Sequence, residues 1–545
     1  MTLETHSEHQ SRPRLAPSDA GSLRTGPLIS KQVRAALAVV ASLLVLGGAA
    51  VSYAMAMRLP LSHDEHQFVV GGWLLGEHGL LPYRDFPFHH VPNLLFLYAL
   101  LGRITPALLW NARMVSVLLG VGTFGLIFAF ARQRHDGARG WFAGTAAVLL
   151  LLLSPLFEYT SGRAWNHALP TFLTVAAFLV HLAAARRSHV ARWWVWSGVL
   201  LGLAVGSRLT YVSALVPFLA FMLIPPRFGS PRRSVAAFLA GFAGSLIPSL
   251  LLLALAPRQF LYGNVVHAIL NVRYRQSLGY TSAMSFQGKL AYLAEDVLSD
   301  PAQALVFAVF VALVVIAAIR IRRGGQASGR EFWFAAGVAL FLFLSGFVPT
   351  PSWVQYFYAP VPFIALSLVI FATENETQAR PIVIAVGILV VTLVTLRWET
   401  LAQVRLLAQR EAWVPMQVHA LGEEVAERTG DGRLLTLAPT VAAEGGLTIY
   451  PELAGGSLDW RIARSFSAER RMVYGLMAPE DLERKLDVDP PVGILVGFEA
   501  RNEGFSVGER GGLEWPLDSY ADANGYQPEE IRTPNVPGNL TLWTP

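Results

Sequence analysis

The chain has 545 residues, 53% of them hydrophobic and 15% charged, with a mean hydropathy of +0.43. So few charges over such a length exclude an ordinary soluble globular protein and indicate a multispanning membrane protein. The formal net charge of +5 comes almost wholly from arginines scattered over loops, which excludes nucleic acid as a partner, and the absence of cysteine excludes disulfides, thiolate chemistry and a Cys-based metal site.

Residues 1–32 are polar, rich in Pro, Ser and Gly and without periodicity, and are expected to form a disordered cytoplasmic tail. Apolar runs follow at roughly 35–57, 106–131, 140–157, 168–185, 193–207, 210–225, 234–256, 302–320, 332–348, 353–372 and 381–397. About 20 apolar residues cross a bilayer core, so these runs predict about 11 spans in a helical transmembrane domain over 33–397. Ala54-Met55-Ala56 mimics a signal-cleavage site, but the first run is too long and its polar lead too extended for a signal peptide.

One set of connections carries Arg132, Arg134 and Arg139; Arg186, Arg187 and Arg192; Arg227, Arg232 and Arg233; and Arg320, Arg322, Arg323 and Arg330. Positive loops stay in the cytoplasm. The N-terminus is then expected inside, and the loop after the first span and the C-terminal part are expected outside. That first outer loop, 58–105, is broken by Gly71, Gly72, Gly76, Gly79, Pro82, Pro87 and Pro92. Segments 64–78 and 91–104 are therefore expected as short helices along the outer interface. From 398 to 545 charges return. Strand-like runs at 433–437 and 492–496 alternate with amphipathic stretches at 415–428 and 478–486, predicting a soluble α/β domain with its own core.

The chemistry-bearing residues gather in the connections assigned to the outside. The first of these reads Ser62-His63-Asp64-Glu65-His66, then Pro82-Tyr83-Arg84-Asp85-Phe86-Pro87, then His89-His90-Val91-Pro92. A carboxylate at a membrane–water boundary can act as a base while the greasy part of a substrate stays in the bilayer. The plain alternative is a pair of acids capping a helix. Arg208, in Ser207-Arg208-Leu209-Thr210-Tyr211, is placed to meet a lipid phosphate or to snorkel to headgroups. Arg163, Arg273, Arg275 and Lys289 are weaker cationic candidates, and Asn264, His267 and Asn271 are spaced to share a helical face with Arg273. His63, His66, His89 and His90 with Asp64 could hold a divalent metal ion through N and O ligands, although clustered interfacial histidines more often contact sugars or headgroups. Gln355 and Tyr356 lie in an aromatic outer segment that suits an interface belt or a sugar-stacking wall. Tyr450-Pro451-Glu452 and Asp459-Trp460-Arg461 suit acceptor contact or, more simply, packing and salt bridges.

An acidic pair after the first span, followed by the Gly/Pro/Tyr/Asp/His-rich stretch from Gly79 to Pro92, resembles the membrane glycosyltransferases of the GT-C fold, in the bacterial branch of protein O-mannosyltransferase and aminoarabinose-transferase type. The resemblance covers the span pattern to about residue 372. It implies that Asp64 is the catalytic base with Glu65 beside it. It also implies a polyprenyl-phosphate-linked sugar donor, an acceptor glycan, lipid or protein, contact with membrane lipid, and a bacterial inner-membrane location. Family members often keep an Asp in the second outer loop. Here Arg163-Ala164-Trp165-Asn166-His167 stands there, leaving Asn166 and His167 as contacts rather than acids.

The sequence thus predicts a sugar transfer by single inverting displacement, with Arg208, Arg84, Asp85, His89, His90, Arg163, Asn166, His167, His267, Arg273, Gln355 and Tyr356 as candidate substrate contacts. A transporter is the alternative. It would carry ionisable groups inside its spans, whereas the span cores here read as almost free of charge.

Overall fold

A computed structural model describes residues 31–102, 104–135, 137–186, 191–224, 231–323, 329–374, 379–499, 512–531 and 539–545. The tail expected over 1–32 therefore falls almost wholly outside the described residues. The membrane part runs α1 (Lys31–Arg58), α2 (His63–Glu77), α3 (Asn93–Leu101), α4 (Leu108–Arg134), α5 (Ala138–Leu152), α6 (Pro155–Ser161), α7 (Ala168–Arg186), α8 (Ala191–Val205) and α9 (Leu215–Leu223). It continues with α10 (Pro231–Ser245), α11 (Ile247–Leu255), α12 (Pro257–Leu261), α13 (His267–Ser277), α14 (Phe286–Tyr292), α15 (Pro301–Arg322), α16 (Arg330–Ser345), α17 (Val361–Glu374) and α18 (Ala379–Leu396).

Every apolar run read from the sequence is helical. Among the described residues four helices are long and apolar enough to cross a bilayer unaided, and three bent helix pairs pass the same test together, giving up to seven by length and composition where about 11 spans were expected. The α5–α6 and α10–α11 pairs bend by 66° and 44°, with Pro155 and Pro248 at the breaks, where a missing N–H and a ring clash interrupt the helical ladder. The spans share one core, in which Phe124, Leu151, Phe178, Phe218, Phe332 and Ile364 are fully shielded.

The two ends of the bundle differ in chemistry. At one end Arg134 pairs with Glu331 and Glu374, and Arg186 pairs with Glu331. At the other end Arg397 pairs with Glu158 and Asp300. The charge-rich connections assigned to the cytoplasm from sequence thus converge on one face.

Beyond the bundle come α19 (Trp398–Ala402), α20 (Val414–Thr429), β1 (Arg433–Thr436), α21 (Pro439–Glu444), β2 (Thr448–Ile449), α22 (Ser457–Ala463), α23 (Ala468–Tyr474), α24 (Leu482–Leu486), β3 (Gly493–Val496), α25 (Trp515–Ala523), β4 (Gln527–Ile531) and β5 (Leu540–Thr544). The sheet order is β2-β1-β3-β5-β4. β1 is parallel to β2 and β3, and β5 is antiparallel to β3 and β4.

Strand alternation sends side chains to two different cores. Leu435, Ile494 and Val496 face a core inside the domain with Leu437, Tyr450 and Trp460. Leu434, Leu495, Leu540 and Leu542 face the other way, into a core shared with Phe68, Val70, Phe86, Leu94 and Leu109 of the membrane part. The expectation of a domain with a core of its own is thus half the picture, because the second sheet face, with α20 and α21, packs into a core continuous with the membrane part. The expectation of two interfacial helices needs the same correction for α2. The stretch from Glu65 to Gly72 is buried, and α2 packs against α3, α4, α21 and α22 rather than lying on lipid. α3 keeps an exposed apolar side at Leu100, as an interfacial helix should.

Candidate active site

Asp64 and Glu65 are neighbours in sequence with opposite environments. Ser62 caps α2, its hydroxyl accepting from the Asp64 amide at 3.4 Å, while Glu65 Oε2 reaches back to the Ser62 amide at 3.0 Å. The helix then turns Glu65 inward and Asp64 outward. Glu65 is fully buried and accepts from Arg113 Nε at 2.9 Å, Arg113 Nη2 at 2.7 Å and the Ala164 amide at 2.8 Å. Burial pushes its pKa up, but the Arg113 charge and hydrogen bonds outweigh that and hold the carboxyl below its ordinary value. With both oxygens occupied, Glu65 is an anchor and not a second reacting acid. Arg113 also donates to the Ala56, Leu59 and Pro60 carbonyls, tying the end of α1 to the start of α2.

Asp64 keeps its carboxylate 34% exposed, 3.4 Å from His63 Nε2. Its negative charge acts on the guanidiniums of Arg208, Arg275 and Arg461. Arg208 Nη1 donates to Asn166 Oδ1 at 2.7 Å and His167 Nε2 at 3.2 Å, and its guanidinium sits 4.9 Å from the Tyr356 ring centre. His167 therefore carries its proton on Nδ1. Burial, then the Arg208 charge, hold the His90 and His167 pKa values well below the ordinary imidazole value, so both rings are neutral. A small recess lies here, lined by His167, Arg208, Tyr211, Gln355 and Tyr356 among others.

The other candidates divide. Arg163 stacks on Tyr159 and Trp165 and donates to the Pro60 carbonyl at 3.0 Å, at the edge of the Asp64 region. Arg84 and Asp85 pair with each other at 2.7 Å in an exposed turn, Arg84 being half exposed, and are not brought to the site. Arg273 is exposed, and Arg275 is the buried cation of α13. The reason is helical phase: His267, Asn271 and Arg275 recur every four residues on one face, and residue 273 lies on the opposite side. Lys289 donates to the Phe347 and Pro349 carbonyls and Thr350 Oγ1, each at 2.8 Å, and so fixes that loop.

The expected histidine–Asp64 metal cluster does not assemble either. His66 turns inward, its Nδ1 2.7 Å from Thr440 Oγ1 on α21. His89 instead joins His267 and Asp459, whose ligand atoms lie within 4.8 Å of one another. His89 Nε2 donates to Asp459 Oδ1 at 2.7 Å, as does the Tyr262 hydroxyl, and His267 Nε2 donates to the Leu458 carbonyl at 3.2 Å. His89 Nδ1 and Asp459 Oδ2 are buried without a partner. Among the described residues this is the one group of three that fits a divalent ion in donor type.

Sequence reasoning missed Arg113, although an arginine inside an apolar run was a visible signal that one span carries a charge. The C-terminal domain docks on this region. The glycine pair 455–456 allows the approach: a Cβ on Gly456, at φ +60°, would lie 3.2 Å from His66 Cδ2, and one on Gly455 would lie 3.3 Å from His89 Cε1. Glu444 of α21 caps α4 by accepting from the Leu109 amide at 2.7 Å and the Leu108 amide at 3.1 Å.

A multi-pass bundle with a polar site at one end under a docked α/β domain is the arrangement of the GT-C fold. Among solved structures the chain is similar to ArnT from Cupriavidus metallidurans bound to undecaprenyl phosphate, with a TM-score of 0.59 and 14% identity over 93% of this chain and 97% of that one. The same protein in the apo state gives a TM-score of 0.57 at 14% identity, over 93% and 98%. A weaker likeness, TM-score 0.48 at 13% identity over 87% and 72%, is to the archaeal oligosaccharyltransferase AglB from Archaeoglobus fulgidus, in complex with an inhibitory peptide and a dolichol-phosphate. A family model described as dolichyl-phosphate-mannose-protein mannosyltransferase matches residues 89–253. No curated protein matches in sequence.

Proposed function

We propose that this chain is a membrane glycosyltransferase that takes a sugar from a polyprenyl-phosphate donor and places it on an acceptor hydroxyl at the extracytoplasmic face, in the bacterial inner membrane. The observation that carries the reading is the partly exposed Asp64 carboxylate, whose charge acts on Arg208, itself held by Asn166 and His167 beside a small recess. In the transfer, Asp64 accepts the acceptor O–H proton while the oxygen attacks the anomeric carbon. The bond from that carbon to the phosphate oxygen breaks, and the phosphate leaves with the electron pair. Arg208 meets the charge that develops there. One displacement inverts the anomeric centre.

His89, His267 and Asp459 are the residues that would hold a divalent ion, which would supply a fixed positive charge next to the site. The binding of undecaprenyl phosphate by the ArnT of similar fold supports a donor of this lipid class. The test is transfer from a labelled polyprenyl-phosphate sugar by membranes containing the protein, with NMR of the product. Label appearing on an acceptor with inverted configuration is expected. Retention would contradict the single displacement, and no transfer from any of a panel of such donors would contradict the function.

A further inference from the structure

We propose that Arg461, carried by the C-terminal domain, holds an oxyanion of the substrate together with Arg275 of the membrane part, so that the domain is a wall of the active site. The inference rests on the transferase reading above and adds a contact from outside the bundle. Arg461 lies on α22, whose start is pinned at two points: Asp459 to His89 and Tyr262, and the Leu458 carbonyl to His267. α22 packs against α13, and residue 275 is on the α13 face that carries His267. The Arg461 side chain is half-buried, and its Nε is shielded from solvent without a hydrogen-bond partner.

The two cations act on each other across the packed α13 and α22. Burial and then the Arg461 charge pull the Arg275 pKa down to about 10. The Asp64 charge acts on both, and the charges of Glu499 and Asp459 act on Arg461 from its own domain. During transfer Asp64 becomes neutral as it takes the acceptor proton. At that moment the paired cations lose their shared counter-charge, and an oxyanion between them restores it. The same chemistry can come from the donor phosphate, which gains charge as it leaves, or from an acidic group on the acceptor.

The test compares Arg461→Ala, Arg461→Lys and the exposed control Arg464→Ala in the full-length protein. Thermal unfolding is followed alongside polyprenyl-phosphate binding and transfer to native membranes. Loss of one charge-assisted contact should weaken binding or transfer by about tenfold or more in Arg461→Ala, with partial recovery in Arg461→Lys and no change in Arg464→Ala. Weaker polyprenyl-phosphate binding assigns the oxyanion to the donor. Unchanged lipid binding with slower transfer, relieved by more membrane acceptor, assigns it to the acceptor. Unchanged binding and transfer in Arg461→Ala overturn the inference, as does a loss that only follows the folded fraction. If the wild-type protein transfers nothing, the transferase reading fails, but the lipid-binding comparison still reports on Arg461.

Discussion

Two adjacent acids in this chain do different work because a helix start separates them. Ser62 and Glu65 form a capping box, which aims the third helical side chain back at the cap and into the bundle, and leaves the second partly exposed. The Ser-x-x-Glu pattern stands in the sequence, yet the two acids were read there as one pair. Arg113 was visible as a charge inside an apolar run, but only the folded chain brings it beneath Glu65. Removing one member of such a buried pair strands the other charge. Arg113→Met should therefore lower stability by about 3–5 kcal/mol, measured by thermal or denaturant unfolding in detergent. Adding Glu65→Gln to it should recover part of the loss. A single variant as stable as the wild type would show that the pair is not the anchor described here. Arg84, Asp85 and Arg273 looked like site residues from composition alone; turn geometry and helical phase take them elsewhere.

At the scale of elements, α2 is the piece on which the site depends. Its buried face was expected to meet lipid and instead meets α21, α22 and the sheet. The sequence could not show this, since an apolar face reads the same whether lipid or protein covers it. His66 records the difference, with its Nδ1 bonded to Thr440 across the junction. Burial, followed by the nearby His63 charge and against the pull of Glu65, lowers its pKa from 6.5 to about 3. The unfolded chain binds a proton at this position below about pH 6.5 and the folded chain does not, so this contribution is complete above that pH and is lost as pH falls toward 3. At pH 5 the loss is about 2 kcal/mol. Unfolding midpoints at pH 7.5 and 5 should thus differ less in His66→Gln than in the wild type. Equal pH dependence in the two proteins would contradict a neutral, domain-bridging imidazole.

For the whole molecule, the apolar runs were legible as helical segments, although among the described residues at most seven pass as spans where about 11 were expected, since several runs fold as short or broken helices. The bends at Pro155 and Pro248 and the sharing of a core between sheet and bundle were not, because both are set by tertiary neighbours. The charge sorting is also a whole-molecule property: the Arg134–Glu331–Glu374 cluster marks one end of the bundle and Asp64 the other. The natural chain lacks cysteine, so single introduced cysteines report topology directly. An impermeant maleimide added to intact cells should label Val488→Cys, at an exposed position of the C-terminal domain, and leave Arg233→Cys unlabelled until the membrane is opened. The reverse pattern would put the site on the cytoplasmic side and remove the donor orientation proposed here. The most direct trial of the account is the rate of sugar transfer by Asp64→Asn set against its binding of polyprenyl phosphate. Transfer is expected to fall by about 10²–10⁴-fold with lipid binding retained. Transfer at the wild-type rate would show that the reaction has its base elsewhere.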